Sequence, residues 1–184
     1  MKENEKILIL DFHGQYNQLI ARRVRECNVY SEIVPYNTSI DKIKEIAPKG
    51  IILTGGSSSV YAEDALSINK EILNLNIPIL GICYGMQIIT YLLGGNVERA
   101  NKREYGTTSV KLDNTSPLFS DFGTSNDCLM THSDFVKELP SGFKNIASTE
   151  SCPNAGMANE DKKIYGIQFH PEVNHTKDRY KNNT

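Results

Sequence analysis

Tryptophan is absent from this chain, cysteine occurs four times in 184 residues, and neither sign of charge dominates. Cys27, Cys83, Cys128 and Cys152 stand far apart, without the close pairing of a zinc site or the density of a disulfide scaffold, so reduced thiols are expected. The 20 basic residues against 22 acidic ones leave a formal charge of -2, which gives no electrostatic footprint for nucleic acid or an anionic membrane. A small molecule is the better default as a ligand. No apolar run approaches membrane-spanning length, and the polar start MKENEK has no hydrophobic stretch of signal-peptide length, so a cytoplasmic setting is expected. The phosphate-loop pattern G-x-x-x-x-G-K-[ST] is missing, which disfavours nucleotide hydrolysis. Internal repeats, low-complexity linkers and metal-ligand clusters are also lacking, and residues 1–184 are read as a single domain that binds no metal.

What is present alternates. KILIL at residues 6–10 reads as a buried strand, and Tyr16, Leu19, Ile20, Val24 and Cys27 fall at helical spacing behind it. Cys27 is placed on the buried face, and Cys128, beside Leu129 and Met130, in a core strand. YSEIV at 30–34 is a second strand, followed by a short helix capped at Thr38 or Ser39 and ending before Pro48. GIILTGG at 50–56 enters a glycine turn, Leu66, Ile68, Ile72 and Leu73 suggest another helix, and IPIL at 77–80 runs into LGICYGMQ. Beyond Gly95 the chain turns to shorter β-like segments, TTSVKL, CLMTH, NIAST and IYGIQFH, with NEDKK as a hairpin turn; for Arg103, Glu104 and Tyr105 a solvated turn before a strand is the bland alternative. The expected fold class is α/β: an open, mostly parallel, doubly wound sheet with flanking helices and a mixed, β-rich second half.

In such sheets sites form beyond the carboxyl ends of the strands, where Cys83 falls. G-x-C-x-G has the form of a nucleophile elbow, a strained strand-to-helix turn that needs small neighbours, here Gly81 and Gly85. The following helix points its amino end at the thiol and favours thiolate. Taken alone, the motif fits an inert core cysteine beside flexible glycines equally well. His13, His132, His170 and His175 are the available proton shuttles. In QFHPEV, His170 and Glu172 are two apart and share one side of an extended segment, so Glu172 can hold the imidazole while its far nitrogen faces Cys83. His-Pro-Glu by itself is more often a surface turn; following a strand, in a chain with an elbow cysteine, the catalytic reading is favoured. Donors for an oxyanion are the backbone N–H groups of Tyr84 and of Gly56 in TGGS, for which a plain turn is the alternative.

The segments LDFHGQYNQLIARRVRE, IILTGG, LGICYGMQ, REYG, STESCPNAGMANE and YGIQFHPEVNHT together resemble the class I (triad) glutamine amidotransferases, with the branch closest to the glutaminase domain of GMP synthases. The resemblance runs from Ile7 to Thr176. It implies that Cys83 attacks the side-chain amide of L-glutamine to form a thioester, with His170 as acid and base, Glu172 as its orienter, and Gly56 and Tyr84 as the oxyanion hole. It further implies Gln87 in substrate binding, with His132 and Ser133 of THSD lining the same pocket. Arg103, Glu104 and Tyr105 fall to a pocket or domain-contact segment. No cofactor is implied in this domain; ATP and Mg belong to an ATP pyrophosphatase, the GMP synthetase domain or subunit that accepts the ammonia, and this chain is expected to lack it. Three departures stand out: DFHGQY for the family's DFGSQY, TGGS for SGGP, which suggests a looser oxyanion loop, and MTHSD for MSHGD. His13 is expected at the surface. A cysteine hydrolase of another γ-glutamyl substrate, and a catalytically weak regulatory or binding module, are the competing functions.

Overall fold

A computed structural model describes residues 5–56, 59–120 and 123–171, with backbone alone for 100–105 and 131–133. Strand β1 (Lys6–Asp11) leads into α1 (Asn17–Glu26), β2 (Tyr30–Pro35), α2 (Ile40–Ile46), β3 (Gly50–Leu53) and β4 (Ile79–Ile82). Then follow α3 (Tyr84–Leu92), β5 (Asn96–Leu112), β6 (Ser125–Glu138), β7 (Lys144–Ser148), β8 (Gly156–Asn159) and β9 (Ile164–Ile167). Among the described residues these strands form one sheet in the order β2-β1-β3-β4-β9-β8-β7-β5-β6. The first five in that order are parallel, and the last four continue antiparallel from β9.

The inner strands of the parallel half are covered on both faces, which is why β1, β3 and β4 read as nearly continuous apolar runs. Alternate residues of β1 serve different cores. Leu8 and Leu10 pack with Ile43 of α2 and with Met86, Ile88 and Ile89 of α3. Ile9 packs on the opposite face with Ile20 and Ala21 of α1, and with Ile82, Cys83 and Ile167. Helix α2 starts where Ser39 accepts a hydrogen bond from the Lys42 N–H and stops at Ala47, whose φ of 52° precedes Pro48. Among the described residues no helix is long and apolar enough to cross a membrane.

Several expectations are corrected. The helix read from Leu66 to Leu73 is a single 3₁₀ turn, Lys70–Asn74. Asn69 caps it by accepting from the Glu71 N–H, and Asn76 at φ 57° followed by Pro78 ends the room for more. Strand β4 begins at Ile79, after Pro78, which has no N–H to give the ladder. Cys27 is exposed as the residue that ends α1, whereas Cys128 and Cys152 are buried. Arg103, Glu104 and Tyr105, for which a solvated turn is the bland alternative, lie within the long β5, Glu104 and Tyr105 paired with His132 and Thr131 of β6. GMAN, unread as a strand, is β8, and NEDKK makes the expected turn between β8 and β9.

Two tyrosines make the fold sensitive to alkali. The Tyr84 phenol donates to the Leu66 carbonyl at 2.5 Å, and burial, with the Asp64 carboxylate adding to it, pushes its pKa up to about 12. Burial and a 2.6 Å hydrogen bond to Glu160 likewise push Tyr165 up to about 12. Because the folded values lie above the usual value of 10.0, this stabilisation is complete below pH 10 and is lost as pH rises from 10 towards 12. Melting temperature recorded against pH should fall across that window, and fall less steeply in a Tyr84→Phe, Tyr165→Phe double variant.

Candidate active site

The loops after β1, β3, β4 and β9 meet at the carboxyl end of the parallel half, where the strand order reverses about β1 and β3. Strand β4 hands directly to α3 at Cys83, whose φ of 54° and ψ of -107° are strained for any residue bearing a Cβ. The surroundings fix this turn from several sides. The Cys83 N–H donates to the Ile167 carbonyl at 2.7 Å, and the Cys83 carbonyl accepts from the Gln87 N–H at 3.2 Å. A Cβ on Gly85 would overlap the Leu53 carbonyl oxygen and lie 2.8 Å from the Leu53 Cβ, while one on Gly81 would lie 2.6 Å from the Gly85 carbonyl. Larger residues at either position would unbend the elbow.

His170 arrives from the end of β9 and is 4% exposed. Its N–H donates to the Leu129 carbonyl of β6 at 3.0 Å, and the Tyr16 ring meets its imidazole edge-on with centroids 5.2 Å apart. Gly55 faces both side chains. A Cβ there would lie 3.2 Å from the His170 Cε1 and 3.5 Å from the Cys83 Cβ, so the histidine and the cysteine border the same space beside its Cα. Gly55→Ala should therefore displace the imidazole by a few tenths of an ångström and slow Cys83 chemistry about 10-fold, with little change in melting temperature. Rates of Cys83 acylation by a glutamine-like substrate, beside a thermal melt, check this.

Of the expected oxyanion donors, the Tyr84 N–H lies in the first turn of α3, where N–H groups have no acceptor within the helix. Gly56 sits one residue beyond Gly55 with its Cα turned to the Phe12 carbonyl. The start of this loop is held: Thr54 Oγ1 accepts from the Phe12 N–H at 3.0 Å and donates to the Gly55 carbonyl at 3.1 Å. That anchoring opposes the looseness expected from TGGS on the described side, and Ser57 itself lies outside the described residues. The DFHGQY departure also acquires a structural account. His13 is exposed at φ 65°, and a Cβ on Gly14 would overlap the Gly55 carbonyl oxygen, so the serine usual at that position would not fit this loop.

Gln87, expected at the substrate, is 3% exposed and donates through Nε2 to the Asp134 carbonyl and to Gln168 Oε1, both at 3.1 Å. Gln168 in turn donates through Nε2 to Cys83 Sγ at 3.3 Å. THSD is part of β6, with the backbone of His132 opposite Glu104; the side chains of His132 and Ser133 lie outside the described residues, as does Glu172. Tyr16, Gly55 and Gln168 are the site residues that sequence reasoning missed. Only Gln168 carried a usable signal: it precedes His170 by two on the same extended segment. Among the described residues no group of three or more His, Cys, Asp or Glu side chains could hold a metal ion.

An elbow cysteine beside a buried histidine, with helix N–H groups at the nucleophile, is an arrangement for acyl transfer. Comparison with known proteins agrees. Two curated relatives, the glutamine-hydrolysing GMP synthases of Clostridium perfringens (strain 13 / Type A) and Clostridium tetani (strain Massachusetts / E88), are each 59% identical to it, over 92% and 95% of the chain. The chain spans about a third of their length, 33% and 34% respectively. A solved protein of Thermoplasma acidophilum, described as a GMP synthase subunit, superposes with a TM-score of 0.82 at 29% identity, covering 97% of this chain and 92% of that one. A glutamine amidotransferase of Thermotoga maritima shares the fold, with a TM-score of 0.77 at 23% identity over 93% of this chain and 77% of its own. The family model for class I glutamine amidotransferases matches residues 8–182, which includes the elbow, the histidine and the glycine loop, and the chain belongs to that family.

Proposed function

We propose that this chain is the glutamine-hydrolysing component of a GMP-forming system. The Cys83 thiolate attacks the γ-carboxamide carbon of L-glutamine, and the oxyanion that forms is met by the N–H groups of Tyr84 and Gly56. His170 protonates the departing amine, ammonia leaves, and a γ-glutamyl thioester remains on Sγ. Water, deprotonated by His170, then cleaves the thioester to glutamate and restores the thiolate. Glu172 serves as the orienter of the imidazole, while Gln87, His132 and Ser133 belong to the glutamine pocket. The ammonia passes to an ATP pyrophosphatase, as a domain or as a subunit, which binds ATP and Mg and aminates adenylated XMP to GMP. The setting is the cytoplasm.

The observation that carries the hydrolytic half is Cys83 held at φ 54° with the His170 imidazole bordering the same space beside Gly55. The synthetic half rests on the 59% identity to glutamine-hydrolysing GMP synthases. The test is intact mass after incubation with diazo-oxo-norleucine, a glutamine-like electrophile, with and without a GMP synthetase partner, on wild type and Cys83→Ala. One adduct, mapped to Cys83 and blocked by glutamine, is the expected result. Adduct formation indifferent to glutamine would favour a hydrolase of another γ-glutamyl substrate, and no adduct under either condition would favour a non-catalytic module.

A further inference from the structure

We infer that Gln168 is a catalytic residue of this site, donating a hydrogen bond to the Cys83 thiolate, and that Gln87 positions it. The inference rests on the reading of Cys83 as the nucleophile. Its starting point is an atom whose chemistry leaves no choice. The backbone carbonyl of Asp134 can only accept, so the Gln87 side-chain atom 3.1 Å from it is the amide nitrogen. That same nitrogen lies 3.1 Å from one terminal atom of Gln168, which must then be the acceptor oxygen. The other terminal atom of Gln168 is therefore its amide nitrogen, and it lies 3.3 Å from Cys83 Sγ. A carbonyl in β6 thus fixes, through two amides, which end of Gln168 faces the sulfur.

Burial gives the arrangement its force. Gln168 is 0% exposed and Gln87 3%, so water does not compete with either amide. Both Nε2 hydrogens of Gln87 are directed to protein acceptors, which leaves its carbonyl oxygen as the group it can offer a substrate. The Gln168 backbone is pinned as well, its N–H donating to the Ala155 carbonyl at 2.9 Å. A donor fixed on sulfur meets the charge of the attacking thiolate and restricts the side chain to the rotamer facing the reaction centre. When the sulfur becomes a thioester it loses its charge, and the bond weakens with it. The interaction is strongest in the thiolate, before attack and again after hydrolysis.

The test separates donation from shape. Gln168→Met keeps the volume and removes the donor, whereas Gln168→Glu keeps the outline and the acceptor for Gln87 but sets a carboxylate against the sulfur. Alkylation of Cys83 by iodoacetamide at fixed neutral pH, followed by peptide mapping to separate it from the exposed Cys27, gives a rate that requires no partner. The expected order is wild type fastest, Met about 10-fold slower and Glu slower still. Gln87→Met should slow alkylation by less, and adding it to Gln168→Met should have no further effect, since its effect on the sulfur runs through that amide. A Glu variant as fast as wild type, or faster than Met, would overturn the inference, because a purely structural role predicts that the isostere is the better tolerated. Equal rates in all three would do the same. If Gln168→Met fails to fold by circular dichroism, the Glu variant and Gln87→Met carry the test. Wild-type Cys83 reacting no faster than the cysteines of the unfolded chain would instead count against the nucleophile itself.

Discussion

On the proposed mechanism, Cys83→Ser is expected to slow glutamine hydrolysis on the order of 10⁴- to 10⁶-fold in a partner-supplemented assay. The hydroxyl is a far weaker nucleophile at neutral pH, and the helix amino end and neighbouring amides that suit a thiolate cannot ionise it. His170→Asn should produce a loss of similar size, and the double variant should be hardly worse than either single one if the proposed nucleophile and base act as a unit. Additive losses would mean that the two residues serve separate steps. Strain at the elbow supplies a second readout that does not depend on turnover. Both Cys83→Ala and Cys83→Gly lack the thiol, yet only glycine relaxes a φ of 54°, so the glycine variant should be the more stable of the two by about 1 kcal/mol.

Gly85→Ala is expected to damage the fold more than any other single methyl addition in the elbow. The new Cβ would meet the backbone oxygen and the Cβ of Leu53 in the neighbouring strand, groups that cannot swing aside as the end of a flexible side chain can. Separating α3 from β3 enough to relieve the overlap sacrifices packing of Tyr84, Met86 and Ile88 against Leu53 and Leu10. A loss of about 3 kcal/mol follows from overpacking of this kind, roughly 6–12 °C in melting temperature for a domain of this size. Glutaminase activity should fall with it even well below the melting temperature, because the elbow is the part displaced. A variant with wild-type stability would show that α3 can slide along the sheet.

The parts legible in the sequence were those whose signals are local. KILIL and GIIL declare themselves because strands covered on both faces are largely apolar, YSEIV through its Ile33–Val34 pair, and Ser39 and Ala47 bracket α2 within a few residues. Cys83 was legible because its glycines sit two residues to either side. By contrast, β5 runs through ERANKREYGTT, polar residues that read locally as a turn; its extent is set by pairing with residues 125–138. Gly55 and Gln168 were obscured for a related reason. Each matters only because the strand order brings β3 and β9 to either side of β4, and no pattern within one segment encodes which strands become neighbours. Cys27 was misplaced by one step of a helix, which ended at Glu26 and turned the next residue out to solvent.

The position of β9 has a consequence for how the protein is made. It is the last described strand in the chain, yet it occupies the middle of the sheet, between β4 and β8. A polypeptide emerging from the ribosome can assemble β1 to β4 early, but the free edge of β4 stays uncovered until residue 167 has been synthesised. Gln168 and His170 follow that strand directly, so the side chains that meet around Cys83 and Gly55 are delivered by the same event that closes the sheet. On the proposed mechanism the nascent chain carries Cys83 without its partners until the free edge of β4 has been sealed.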